Sequence, residues 1–269
     1  MDRTSNQLKI LLAAAWFAAL MPARAADNSP PHGYSSGFMA VTNLGSDLYA
    51  TLDPKYQKGL DPHPVAVENM LAPVITPIAV KDGNRRWGEV SISAGYIDLL
   101  NHLAHAKAID RIQPGYFAQY ALNLARATGG DSPPEPPNMV DNRYWTDDIM
   151  NDQASYFTQM IGMTLALSLS QHYLGHFDQY AGQMLAGKLV PINNFIPPDS
   201  WEAGVKAATL NCLNCAVAME GAKALFEAID KMPSRPAWTA FIVPPTADLK
   251  KLNKQLKTYE DEFFHGKLR

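Results

Sequence analysis

The stretch that decides the fold is residues 147–180, DDIMNDQASYFTQMIGMTLALSLSQHYLGHFDQY. Its apolar residues recur three and four positions apart, which is the spacing of one face of an α-helix. They include Met150, Phe157, Ile161, Leu165 and Leu169. Asp147 and Asp148 stand at the start, where the helix dipole favours negative charge. The pattern predicts one long central helix from about residue 146 to residue 180 or beyond.

Shorter helices and one hairpin flank this helix in the sequence. Ile78–Val80 and Glu89–Ser93 are predicted strands, joined by a turn at Lys81–Asn84 that contains Asp-Gly-Asn. Four prolines between residues 61 and 77 confine any helix there to Val65–Leu71. Helical spacing predicts four further helices, over residues 94–113, 115–127, 198–231 and, as a charged surface helix, 248–264. The predicted fold class is α+β, mainly α, with a small β element.

One internal segment bears on domain organisation. Gly129–Pro137 reads GGDSPPEPP and is too rich in glycine and proline to form a packed element. It is either a linker between two domains or an exposed loop within one. The second interpretation gives a single helix-rich domain over residues 38–269, with the long helix at its centre.

The first 25 residues have the three parts of a secretory signal. Arg3 and Lys9 are positive, an apolar run covers residues 10–21, and Ala23–Ala25 is an A-x-A cleavage site. The run is too short to cross a bilayer, which needs about 20 residues. We expect a signal peptide at 1–25, a flexible leader at 26–37 and an exported protein, periplasmic or extracellular, with no transmembrane segment. The alternative is an amphipathic helix that is retained.

The composition excludes several classes of function. The net charge is −3 with 18% charged residues, so the basic excess of a nucleic-acid-binding protein is missing. Two cysteines are too few for a disulfide scaffold. The sequence has neither a glycine-rich phosphate loop nor a G-x-S-x-G nucleophile motif. Histidine and cysteine pairs remain as the candidate sites.

His172 and His176 form the sharpest candidate. Residues four apart share one face of a helix, so both imidazoles could bind one metal ion. An H-x-x-x-H match is a weak signal by itself. The alternative is that one histidine is exposed and the other packs or caps the helix.

This segment carries a family resemblance. Leu169–Phe177, LSQHYLGHF, resembles the zinc helix of the gluzincin metallopeptidases, whose motif is H-E-x-x-H. Val90–Leu100 is similar to the segment before the zinc helix in the HtpX and CAAX-prenyl-protease-like family. The resemblance covers residues 85–230 in patches. It implies a zincin-like central helix and zinc bound by His172 and His176.

Two positions depart from the family pattern. The resemblance puts the catalytic glutamate at Tyr173, and a phenol with a pKa near 10 is a poor general base at neutral pH. It puts the third zinc ligand at Ser200, which leaves Asp199, one residue before, and Glu202, two residues after, as the carboxylates that could serve, and we take Glu202 as the third ligand. Asp199 and Glu202 also match a capping box, with Asp199 as N-cap, which is the structural alternative for both.

Cys212 and Cys215 form a C-x-x-C pair about three turns into the predicted 198–231 helix. A redox-active thiolate needs a helix N-terminus to lower its pKa, and this pair lies far from one. Ala216 follows the pair, so the histidine of a haem attachment motif is missing. We predict two buried thiols or a local disulfide, with redox catalysis and metal ligation as the remaining alternatives.

A second histidine pair lies on the predicted 94–113 helix. His102 and His105 are three residues apart, and Asp98 is four residues before His102. Helix packing could bring this half-site to the long helix. The alternative is a set of exposed side chains on an amphipathic helix.

The sequence therefore supports two main expectations. One is a secreted metallopeptidase-like protein that binds zinc through His172, His176 and Glu202 and acts on a peptide or protein substrate, but is inactive if nothing replaces the missing base. The other is a non-enzymatic secreted binding or structural protein whose histidines are not ligands. A third, weaker expectation is a thiol protein that acts through Cys212 and Cys215.

Overall fold

The computed structural model describes residues 35–127, 132–181 and 191–268, and these residues form a mainly helical fold with one three-stranded sheet. The predicted α+β, mainly α class is confirmed. The strands are β1 Leu60–Glu68, β2 Ile75–Asp82 and β3 Arg85–Ser93. The α-helices are α1 Ser35–Ala50, α2 Pro54–Gln57, α3 Ala94–Ile109, α4 Tyr116–Arg126, α5 Asp147–Tyr173, α6 His176–Tyr180, α7 Pro198–Asn214, α8 Glu220–Lys231 and α9 Leu249–Phe264.

The predicted N-terminal segments lie mostly outside the described residues. The signal peptide and most of the leader fall within residues 1–34. Helix α1 begins at Ser35, so the last three residues of the predicted leader, 35–37, are helical rather than part of a flexible segment.

The sheet has the order β1-β3-β2. Strands β2 and β3 form the predicted hairpin, with Asp82 paired to Arg85 and Gly83 at a φ of 54° in the turn. The expected helix at Val65–Leu71 is wrong, because β1 runs through residue 68, parallel to β3. Two prolines at 62 and 64 oppose a helix, and the β-branched Val65 and Val67 favour a strand.

Two helices follow the sheet as predicted. Helix α3 begins after Ser93, whose hydroxyl accepts a hydrogen bond from the Tyr96 N–H at 3.1 Å. Helix α4 begins after Gly115, whose φ of 91° suits glycine. The Ser93 cap and the Gly115 turn stand next to the first residues of the two helices. Because such signals are local, the starts of α3 and α4 agree with the sequence analysis.

Helix α5 is the centre of the core. Its residues from 160 to 171 are all buried, whichever way they face around the helix. The helix packs against α1, α3, α7, α8 and the sheet. A helix that is apolar on all sides must be covered on all sides. Among the described residues, no helix combines the length and apolar character that a membrane crossing requires.

The predicted continuous helix over 198–231 is wrong, because α7 ends at Asn214 and α8 begins at Glu220. Ala216 adopts a φ of 58°. Its N–H bonds the Leu213 carbonyl at 3.1 Å, and the Val217 N–H bonds the Cys212 carbonyl at 2.8 Å. These two bonds form a Schellman motif, which ends a helix by satisfying its last carbonyls.

The proline-rich segment after α4 runs along that helix and α3. Residues 128–131 lie outside the described ranges, but residues 132–145 are held by side chains of the two helices. The Tyr120 hydroxyl donates to the Pro134 carbonyl at 2.6 Å, and the Tyr116 hydroxyl donates to the Pro137 carbonyl. The His105 ring bonds the Tyr144 carbonyl at 2.8 Å.

The charged helix predicted near the C-terminus is confirmed as α9. Asp248 caps it by accepting a hydrogen bond from the Lys251 N–H at 3.0 Å. One face is exposed, and the other buries Leu249, Leu252 and Leu256. That face rests on α7 and α8.

Candidate functional site

The His172 side chain joins the last turn of α5 to strand β3. Its Nε2 atom lies 2.8 Å from the main-chain oxygen of Glu89. A carbonyl oxygen only accepts hydrogen bonds, so Nε2 carries the proton and donates it. The two residues are 83 positions apart in the chain. This bond therefore connects the central helix to the sheet.

Gly88 provides the space for this ring. An ideal Cβ at position 88 would lie 2.6 Å from Nδ1, 2.7 Å from Cγ and 2.9 Å from Cε1 of His172. Nearly equal distances to three consecutive ring atoms mean that Gly88 covers the face of the imidazole, not its edge. The Phe177 ring lies nearby, with its centroid 4.8 Å from that of His172. The imidazole thus contacts both a strand and an aromatic side chain.

Burial controls the charge of His172. It lowers the pKa of this histidine from 6.5 to about 4, against the opposing effects of the Glu89 carbonyl and the Asp178 carboxylate. The Arg86 guanidinium lowers the pKa slightly further. His172 is therefore neutral at pH 7, with an unprotonated Nδ1.

His176 lies on a different helix from His172. Leu174 caps α5, Gly175 turns the chain with a φ of 78°, and α6 begins at His176. The predicted single helix to residue 180 is therefore wrong, and the expectation that both histidines share one helical face fails with it. A left-handed residue cannot continue an α-helix, and Gly175 takes that conformation at no steric cost.

The His176 ring is engaged within its own neighbourhood. Its Nδ1 lies 3.0 Å from the side-chain oxygen of Gln171, which accepts the Nδ1–H. Burial lowers the pKa of His176 below its usual 6.5. Its Nε2 is therefore the unprotonated nitrogen at neutral pH.

Glu202 faces away from this segment, toward α9. One of its oxygens lies 2.6 Å from the Lys251 ammonium, and the other accepts from the Gln255 amide at 3.2 Å. These contacts lower the pKa of Glu202. The predicted capping box is wrong, because Pro197 is the N-cap of α7 and Asp199 lies inside its first turn. Within the ranges that the structure describes, no three His, Cys, Asp or Glu side chains are grouped to hold a metal ion.

Tyr173, at the position of the missing base, is partly buried and packs against the core. Its ring centroid lies 4.8 Å from that of Tyr56. Burial raises the pKa of the Tyr173 phenol well above its usual 10, and the nearby Cys212 and Tyr56 raise it further. The phenol therefore stays protonated at neutral pH and takes the role of a core side chain.

The second histidine pair faces the 132–145 segment. The His105 ring lies edge-on to Trp145, with centroids 4.7 Å apart, and burial lowers its pKa. The His102 Nδ1 atom is buried and has no hydrogen-bond partner in the structure. Burial lowers the pKa of His102, and the charge of Glu135 opposes that effect. These histidines serve to pack the proline-rich segment onto α3.

The two cysteines lie at the end of α7 and are not joined by a disulfide. Cys212 is fully buried, and Cys215 is the C-cap of α7 and is partly exposed. Burial raises the pKa of both thiols, and the Asp47 carboxylate adds to the effect on Cys215. Neither thiol is activated as a nucleophile at neutral pH.

The sequence analysis missed the partners of His172. Glu89 contributes a main-chain oxygen, which no side-chain pattern can reveal. Gly88 left a signal, because a glycine beside a predicted strand often marks the close approach of another group.

No family model matches the chain, and neither the curated proteins nor the solved structures contain a match to it.

Proposed function

We propose that this chain is a non-enzymatic exported protein, structural or binding, in which the H-x-x-x-H segment stabilises the fold and binds no metal. One observation carries the proposal: each of the three candidate ligands already has a protein partner. His172 binds the Glu89 carbonyl, His176 binds Gln171, and Glu202 pairs with Lys251.

The three partners lie on separate elements. The Glu89 carbonyl belongs to β3, Gln171 to α5 and Lys251 to α9. A metal site would require Glu202 to give up its contacts with Lys251 and Gln255 on α9 and turn toward the two histidines. A buried neutral imidazole that donates its N–H to an oxygen is stable without a metal, because its hydrogen-bond donor is satisfied.

Export is the other half of the proposal and rests on the sequence of residues 1–25. A positive start, an apolar run and an A-x-A site are the parts that a secretory pathway reads. The helical domain that follows from residue 38 is the part that would function outside the cytoplasm.

A second candidate is the metallopeptidase-like zinc site, and one observation favours it. Each ring donates one N–H to an oxygen, which leaves His172 Nδ1 and His176 Nε2 as free lone pairs. Metal-ligating histidines are oriented by donated bonds of this kind. Zinc bound there would act as a Lewis acid. Its remaining ligands would have to be groups other than these two imidazoles.

Metal analysis of the purified, exported form separates the two candidates. The protein is incubated with zinc, dialysed and analysed for bound metal, beside the His172→Ala/His176→Ala double variant. An exposed histidine on the C-terminal side of α9, His265→Ala, is the matched control. We expect no stoichiometric zinc in any of the three.

The opposite result is equally specific. One zinc ion per chain in the wild type and in His265→Ala, lost only in the double variant, would establish the metal site and refute the structural role. Recovery of the intact domain in the cytoplasmic fraction of its native host, with residues 1–25 still attached, would refute export.

A further inference from the structure

We propose that Cys212 and Cys215 are the site of a reversible intramolecular disulfide, formed by exchange with a disulfide-bonded donor. This inference goes beyond the proposed function and does not depend on whether the histidines bind metal. The donor class is a disulfide compound or an oxidised dithiol protein of an oxidising compartment, where such bonds persist.

The helix brings the two residues within reach of each other. Residues three apart in an α-helix have Cα atoms about 5 Å apart, from a rise of about 1.5 Å per residue and a radius of about 2.3 Å. A disulfide accepts Cα separations of about 4.4–6.8 Å. Cys212 lies in the last turn of α7, and Cys215 is its C-cap. The two side chains therefore stand on one face at the end of the helix.

The end of the helix supplies the adjustment that the bond needs. Cβ atoms three residues apart on a helix are about 5–6 Å apart, and a disulfide draws them to about 4 Å. Cys215 has a φ of −87° and a ψ of 11°, outside the regular helix. A pair in the middle of a helix would have to break the helix, whereas Cys215 can turn inward at the cap. The bond would be strained, which makes it readily reducible.

The exposure of the two thiols sets the order of reaction. Cys215 is partly exposed, whereas Cys212 is fully buried. The Cys215 thiolate attacks one donor sulfur, which forms a mixed disulfide and releases one donor thiol. The Cys212 thiolate then attacks Cys215 Sγ, which forms the intramolecular bond and releases the second donor thiol. The cysteine pair loses two electrons and two protons, and the donor disulfide is reduced to two thiols.

The charge environment sets the speed of this reaction. Burial raises the pKa of the Cys215 thiol, and the exposed Asp47 carboxylate on α1 raises it further. The thiolate attacks, so its small population at neutral pH slows the first step. Formation of the mixed disulfide on Cys215 should therefore accelerate with rising pH and with removal of the Asp47 charge.

The first experiment measures the thiols of the full chain. Reduced protein is incubated with excess oxidised glutathione, alkylated and weighed by intact mass spectrometry. We expect the wild type to become two hydrogens lighter, to take up no alkylating reagent, and to regain both thiols with dithiothreitol. Two alkylatable thiols, a persistent glutathione adduct or a disulfide-linked dimer would each overturn the proposal.

Two cysteine variants test the order of attack. Cys212→Ser should accumulate one glutathione on Cys215, because no second thiol resolves the mixed disulfide. Cys215→Ser should stay unmodified, because Cys212 is out of reach. An adduct on Cys212 in the second variant would refute the order. The wild-type result stands even if the buried substitution disturbs the fold.

A charge variant tests the electrostatic control. In the Cys212→Ser background, Asp47→Asn should form the glutathione adduct on Cys215 about twofold to fivefold faster at pH 7, since the rate of this first step follows the Cys215 thiolate fraction. The matched control is Asp230→Asn, an exposed acid on α8 whose charge does not contribute to the pKa of Cys215. Equal acceleration in both variants, or in neither, would contradict the role of Asp47.

Discussion

The contact between Gly88 and His172 gives the sharpest test of the structural role of the histidine. Gly88 pairs with Leu60 on one side and with Ala79 on the other, and its N–H bonds the Gly59 carbonyl at 2.6 Å. Strand β3 is therefore held from both edges. In a Gly88→Ala variant the strand cannot withdraw, so the imidazole has to move.

The size of the effect follows from the geometry. The added Cβ would lie 2.6–2.9 Å from three ring atoms, whereas such contacts are most favourable at about 3.5–4.0 Å. The ring must retreat by about 1 Å along the normal to its plane, which tilts and weakens the 2.8 Å bond to the Glu89 carbonyl. The weakened bond costs about 0.5–1 kcal/mol and the overpacking about 1–3 kcal/mol. We expect Gly88→Ala to lower the free energy of unfolding by about 2–4 kcal/mol.

Denaturant unfolding of a double-mutant cycle measures this coupling. The variants are Gly88→Ala, His172→Ala and the pair together, and thermal unfolding should show a Tm lower by about 4–16 °C for the first. Once His172 is truncated, the new methyl group meets no ring, so Gly88→Ala should cost less than about 1 kcal/mol in that background. An equal cost in both backgrounds would show that the glycine acts without the histidine and would refute the reasoning.

Three further predictions concern stability. Because His172 has a folded pKa of about 4 against 6.5 unfolded, it contributes up to about 3 kcal/mol to the free energy of unfolding, which is present above pH 6.5 and lost as the pH falls to 4. Urea unfolding from pH 7 to 4 should show this loss, and a His172→Ala variant whose stability falls equally steeply with pH would contradict it. Ala216→Gly should stabilise the protein by about 0.5–1 kcal/mol, because a φ of 58° suits glycine, whereas the control Ala203→Gly inside α7 should destabilise it by a similar amount. A lower denaturation midpoint for Ala216→Gly than for the wild type would refute the argument. Glu202→Gln should lower the free energy of unfolding by less than about 1 kcal/mol, because its partner Lys251 is exposed, and should leave the metal content unchanged. A loss of bound zinc would instead identify Glu202 as a ligand.

Local signals allowed much of the fold to be predicted. Asp82 and Gly83 lie in the predicted turn, and Ser93 precedes the first residue of α3 as its cap. Each signal acts within a few residues, because a turn or a cap satisfies backbone groups nearby. The mainly helical class and the hairpin were predictable for that reason.

The wrong predictions, of two helix ends and of strand β1, have a common cause: the deciding contacts are not visible in the local pattern. Apolar periodicity continues through Gly175 and through Ala216, so the pattern predicts helices where the chain turns. Both residues adopt a positive φ, which ends a helix. Caps satisfy the backbone groups at the helix end, and the helix that follows packs in a new direction. Strand β1 was missed because its pairing with β3 involves residues some 25 positions away.

The candidate site divides in the same way. The residue types and spacing of His172 and His176 are properties of the sequence, as are the C-x-x-C pair and the pattern in residues 1–25 that predicts an export signal. Only the tertiary structure decided that His172 binds a main-chain oxygen 83 residues away, that Glu202 pairs with α9, and that Cys212 is buried while Cys215 is partly exposed. Side-chain partners depend on which surfaces the packed helices and sheet bring together, and no local pattern encodes a backbone carbonyl that arrives from a distant strand.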